Sequence, residues 1–179
     1  MLLKNYYNAV SAFMEAGGSS TANKVKNYNG DLIKPSTYTE AIVYMTPTIN
    51  SGSYYASLSR MAKSIGDTNL GIIIGTGDTP VTPDDYKLSG SMITAFAGSV
   101  ASSCAVDENG TTLTALCTIT NSSSQSITIR EVGLLGKEKS SPSTSSTILV
   151  ERTVLDAPLT IDPGGVGQLT YTIKLNYPT

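Results

Sequence analysis

With 179 residues, the chain is long enough to bury a core without disulfides or metals. Its 12 basic and 14 acidic residues give a net charge of −2, leaving no surplus to neutralise a phosphate backbone, so nucleic acid is not an expected partner. The absence of histidine removes the common general base and the Ser–His and Cys–His dyads, and two cysteines cannot complete a four-ligand Cys/His zinc site. No catalytic, cofactor or metal site is therefore expected.

Charged residues are only 15% of the chain, and Ser, Thr and Asn take their place. A polar, weakly charged surface suits broad contacts with protein, because uncharged groups are easier to desolvate than ions. No run of 18 apolar residues offers a membrane span. Residues 1–7 lack the basic and apolar regions of a secretory signal, so synthesis in the cytoplasm is expected.

In chain order, residues 2–16 carry a helical stripe of Leu3, Tyr6, Tyr7, Val10, Phe13 and Met14, stopped by Gly17-Gly18. The stripe can pack on the chain's own sheet or on a neighbouring subunit. Its aromatic and Met content and its polar tether favour the neighbour, so these six residues are the candidate interface and the helix is expected to be an assembly element. Residues 19–36 read as polar and loop-like, with a turn signal at Asn29-Gly30. The expected division is therefore 1–36, helix and connector, and 37–179, a β-sandwich.

Residues 37–45 read as a strand, 50–66 fit either a helix or a strand, and Leu70 to Ile74 read as a buried strand. Pro80 and Pro83 then interrupt regular structure up to about Tyr86. Beyond residue 91, period-2 alternation marks strands at 112–120, 127–129, 147–155 and 168–177. In the last of these Leu169, Tyr171, Ile173, Leu175 and Tyr177 share one face. The fold class expected is mainly β, an antiparallel β-sandwich with a short N-terminal helix. Segment 137–146 reads as a mobile surface loop, and Pro163-Gly164-Gly165 as a tight turn.

If Asn109-Gly110 is the loop of a hairpin, Glu108 pairs with Thr111 and Cys104 faces Ala115. Cys104 and Cys117 are then diagonal neighbours about 7–8 Å apart, beyond disulfide reach. They read as two small buried hydrophobes.

Several motifs fail on inspection. Gly75-Thr76-Gly77 follows an apolar strand, but Pro80 stands where a dinucleotide loop needs its third glycine. Gly136-Lys137 is followed by Glu138 and preceded by Glu131 where a phosphate loop needs Ser or Thr and Gly. Asp107, Asn109 and Thr111 mimic the start of a calcium loop, but Thr118 replaces its glutamate. Asp84-Asp85 reads as a cap or turn, with a weak divalent-ion site as the alternative. Arg130, Glu131, Glu151 and Arg152 read as cross-strand ion pairs on a solvent face, or as pairs across a subunit interface. The glycosylation sequons at Asn109 and Asn121 are discounted for want of a secretory signal.

Three stretches carry a resemblance. They are Gly71 to Leu88 (GIIIGTGDTPVTPDDYKL), Ile119 to Leu135 (ITNSSSQSITIREVGLL) and Ile148 to Gly165 (ILVERTVLDAPLTIDPGG) with its closing strand. Together they resemble small virion proteins of tailed bacteriophages, especially phages of gut and Gram-positive hosts. The likeness covers about 71–177, and the opening Leu2 to Tyr7 is similar too. It implies a non-enzymatic structural component of the virion, present in multiple copies on the capsid, collar, tail or fibre attachment. The implied partners are copies of itself and other virion proteins. The alternative reading is a module binding a host-surface glycan through exposed Tyr and Asn. The lack of Trp and the place of Tyr171 and Tyr177 on an apolar strand face count against it.

Overall fold

Two three-stranded antiparallel sheets meet face to face and account for most of the core. The structure is a computed structural model and describes residues 2–8, 25–33, 64–68, 70–107, 110–141 and 144–176. Helix α1 covers residues 4–8. The strands are β1 Val25–Lys26, β2 Leu32–Ile33, β3 Gly71–Gly75, β4 Phe96–Asp107, β5 Gly110–Asn121, β6 Ile127–Ser141, β7 Thr144–Ile161 and β8 Val166–Asn176. One sheet has the order β3-β6-β7 and the other β4-β5-β8, with β1-β2 a separate small hairpin. The expected class therefore holds: mainly β, antiparallel, sandwich-like, with a short N-terminal helix.

Alternation sets the inner faces. Ile72, Ile74, Val132 and Leu134 of the first sheet meet Leu113, Ala115, Cys117, Ile119, Tyr171 and Ile173 of the second. The first sheet is also covered on its other face, where Leu3, Ile73, Leu88, Leu135 and Leu149 form a second, smaller cluster. Burial on both faces is why β3 is an unbroken apolar run rather than an alternating one.

The edges of this first sheet are capped as well. Along β3, Ile65 bridges Ile72, Met92 bridges Gly75, and the Ile93 amide donates to Ile74. Along β7, Leu2 bridges Glu151, the Leu3 amide donates to Val150, and the Tyr28 amide donates to Thr147. The β6–β7 register shifts between Ile129 and Glu131, where β7 carries extra residues that include Pro158. A bulge there accommodates a residue that cannot donate to the ladder.

Four expectations need correction. First, the β4–β5 hairpin pairs Asp107 with Gly110 and Cys104 with Leu113, not Glu108 with Thr111 and Cys104 with Ala115. Side chains repeat every two residues, so a slip of two leaves the same residues on the same face and hydrophobic pattern cannot detect it. In the observed register Cys104 and Cys117 lie four positions apart along the face, about 13 Å, and Cys117 is a free thiol. Second, the supposed loop 137–146 is mostly strand, because the β6–β7 ladder runs on through Lys137↔Thr147 to Ser141↔Thr144. Polar composition does not stop backbone pairing once the ladder is started by the core. Third, residues 25–33 are not simply loop. Val25 and Ile33 are core residues, and the Asn27 carboxamide closes the turn by accepting from the amides of Asn29 and Asp31.

Fourth, the N-terminal stripe is not left free for a neighbour at its first two positions. Leu3 and Tyr6 are buried within this chain, while Tyr7 is exposed. Asn5 fixes the helix by bonding both backbone groups of Lys26, giving its amide to the carbonyl and accepting from the N–H. Val10, Phe13 and Met14 lie outside the described residues, as does the strand expected at 37–45.

Candidate functional site

The strongest polar constellation lies where the stretches 71–88, 119–135 and 148–165 converge. Arg152 sits on β7 opposite Gly133 of β6, on the outward face of the first sheet. Glu131, on β6, shares that face. That face is not solvated, because the 76–91 loop lies over it. Arg152 and Glu131 are 1% and 0% exposed in their side chains and 2.7 Å apart. This corrects the expectation of a solvent-face ion pair.

Each bond in the cluster has a local reason. One Glu131 oxygen accepts from the amides of Gly77 (2.9 Å) and Gly90 (2.8 Å). The other accepts from the Ser89 amide (3.0 Å), the Ser89 hydroxyl (3.2 Å) and Arg152 Nε (2.7 Å). The loop backbones can approach this closely only because Gly77 and Gly90 lack side chains. A Cβ on Gly77 would collide with the Gly90 amide and the Ser89 hydroxyl. The guanidinium fork also donates to Asp85 (2.7 Å), the Thr79 carbonyl (2.8 Å) and Ser89 Oγ (2.6 Å). Asp85 in turn closes its own turn by accepting from the Thr82 amide and hydroxyl.

Burial alone would raise the Glu131 pKa. The Gly90 amide, Arg152 and the Ser89 amide outweigh it and hold the carboxyl below its usual range. Burial likewise opposes the charge of Asp85, but the Thr82 bonds and Arg152 bring it below the ordinary value. Burial would lower the Arg152 pKa, and its two carboxylates raise it above normal instead. All three groups stay ionised at neutral pH and hold one another, so the cluster fastens a loop and presents no free acid or base.

The other charged expectations resolve simply. Asp84 faces solvent and pairs with Lys4 at 3.1 Å, so the Asp84-Asp85 pair is divided between two cations. Arg130 lies 4.0 Å from Asp78 on the surface. Glu151, next to a bulge at Val150, turns inward instead and accepts from the hydroxyl of Tyr171 across the two sheets and from Thr153 Oγ1. Burial, then Glu151, raises the Tyr171 pKa well above its usual value. No group of three or more potential metal ligands occurs among the described residues.

Sequence reasoning did not find two further polar anchors. Asn121, discounted as a sequon, is 1% exposed and uses its whole carboxamide. Its amide donates to the Gln125 and Ile161 carbonyls, and its oxygen accepts from the Ser123 amide and hydroxyl. Its backbone pairs with Gly164 and Gly165 of the Pro-Gly-Gly turn, where Gly164 takes φ 71. Tyr28 receives the Leu88 amide on its hydroxyl, helping seat the same loop.

The outward face of the β4-β5-β8 sheet is the other candidate. It presents Ala97, Ser99, Ala101, Ser103 and Ala105 from β4, then Thr112, Thr114, Leu116, Thr118 and Thr120 from β5. From β8 come Val166, Gln168, Thr170, Thr172 and Lys174. Lys174 is the one ionised side chain among them. Among the described residues β4 is also an edge strand; it runs without a bulge and carries no charge or proline from Phe96 to Val106.

Compared with known proteins, the chain matches no family model, no curated protein and no solved structure. No helix among the described residues is long and apolar enough to cross a membrane.

Proposed function

We propose that this chain is a non-enzymatic structural component of a tailed-phage virion, assembling in multiple copies on the capsid, collar or tail with other virion proteins. The observation that carries the reading is the face of the β4-β5-β8 sheet, where Lys174 is the single charged side chain among those described, together with its edge strand β4, which among the described residues pairs with β5 alone. Interface centres are depleted of charge, and soluble proteins ordinarily blunt an exposed edge with Lys, Pro or a bulge. None of those devices is present on β4 between Phe96 and Val106.

The motif stretches support the same reading. Their charged residues Asp85, Glu131 and Arg152 are engaged in fastening the 76–91 loop, a role in building the particle subunit and not in chemistry. The test is direct. Particles purified from a phage encoding this sequence are analysed by quantitative mass spectrometry and labelled with antibody to the chain. Several copies per particle are expected; purified particles that lack the chain overturn the reading.

A further inference from the structure

We infer that β4 is a self-association edge: two copies of this chain pair their β4 strands antiparallel about a two-fold axis through Ala101, joining their sheets into one. This rests on the reading of the chain as a multi-copy assembly component and names the contact that such assembly uses.

The two sheets differ in a way that points to the edge. The β3-β6-β7 sheet has both edges capped by segments of the same chain. Among the described residues, no backbone group of β4 bonds to anything beyond β5 and the local Phe96–Thr94 turn. A row of alternating N–H and C=O groups in a 12-residue strand is satisfied best by another extended strand.

The sequence of β4 then selects the occupant. An axis perpendicular to the sheet keeps both outward faces on one side, so it can pair only outward residues with outward residues. Read along the strand, the outward residues are Ala97, Ser99, Ala101, Ser103 and Ala105, which is the same order in both directions. Centring the axis on Ala101 sets Ala97 against Ala105, Ser99 against Ser103, and Ala101 against itself. On the inward face Phe96 meets Val106, apolar on apolar. Small residues let the backbones close, and serine pairs can bond across the strands. Asp107 falls at the two far ends, so no like charges meet. An unrelated strand has no reason to match this palindrome; a second copy matches it by construction.

The full-length chain in a Cys104→Ser background is examined by sedimentation velocity. A dimer is expected. Ala101→Lys and Ala101→Glu, each alone, place like charges side by side at the axis and raise the dimer Kd by roughly tenfold or more, with melting unchanged. Mixing the two variants restores the dimer. In the same background Ala101→Cys forms a disulfide-linked dimer under mild oxidant, whereas Ala97→Cys links only to Ala105→Cys. A chain that stays monomeric at the highest attainable concentration, a dimer indifferent to Ala101→Lys, or an Ala101→Cys chain that does not cross-link overturns the inference. The cross-linking result decides if a charged variant fails to fold. A monomeric chain still found in particles sinks the pairing but leaves the virion reading intact; dimers never found in particles do the reverse.

Discussion

Glu131 shows how a buried carboxylate is made tolerable: two oxygens, five donors, and one cation held against it at 2.7 Å. Removing one member leaves the rest buried and uncompensated. Arg152→Ala should therefore cost about 3–5 kcal/mol, read from urea denaturation. The pH dependence follows from sign. Both Glu131 and Asp85 have folded-state pKa values below their unfolded ones. Their contribution is present above the ordinary carboxylate range and is lost as pH falls through the lower, folded values. The melting temperature should be level from neutral pH down to about pH 4 and fall below it, and Glu131→Gln should start lower with a shallower acid slope. Cys117 offers a different check. It is free, fully buried, and pushed up to about 11 by burial, so little thiolate exists at neutral pH. In a Cys104→Ser chain, Cys117 should resist iodoacetamide in the native state and react fully in denaturant.

At the scale of elements, β8 was the most legible from sequence. Its strict alternation predicts burial of Tyr171 and Ile173, and they are 6% and 5% exposed. Ile173→Ala should cost about 2–5 kcal/mol by chemical denaturation. The β4–β5 hairpin was legible in kind and not in register, since a two-residue slip preserves every face. The 76–91 loop was read only as irregular. Its lock joins Arg152 to Asp85 across 67 residues and to Thr79 across 73, a separation that no local pattern encodes. The N-terminal helix shows the converse limit. An apolar stripe states that something covers it, not whose surface that is. Because Leu3 and Tyr6 lie in this chain's own core, a truncation beginning at Ser19 should lower the melting temperature. The loss expected is about 1.5–3 kcal/mol for each of the two side chains, followed by circular dichroism.

At the scale of the molecule, the two sheets are unequal partners. One is roofed by the 76–91 loop and hemmed at both edges by N-terminal and linking segments; the other carries a plain outer face with Lys174 as its single charge among the described side chains. The closed sheet joins strands that lie far apart in the chain, and that has a consequence for synthesis. Among the described residues the one full strand partner of β3 is β6, Gly71 against Leu135 and Gly75 against Glu131, while its other edge meets Ile65, Met92 and Ile93. Its three isoleucines therefore leave the ribosome about 60 residues ahead of the strand that shelters them, a wait of several seconds at roughly 5–20 residues per second. During that interval a short, chargeless, β-branched segment has only its sequence neighbours around Ile65 and Met92 to pair with on one edge and no partner on the other, the kind of segment that seeds aggregation. Glycines at both ends, Gly71 and Gly75, keep the run to three side chains. Slower elongation between codons 75 and 131 should therefore lower the soluble yield, read by comparing synonymous rare-codon and common-codon genes for the same chain.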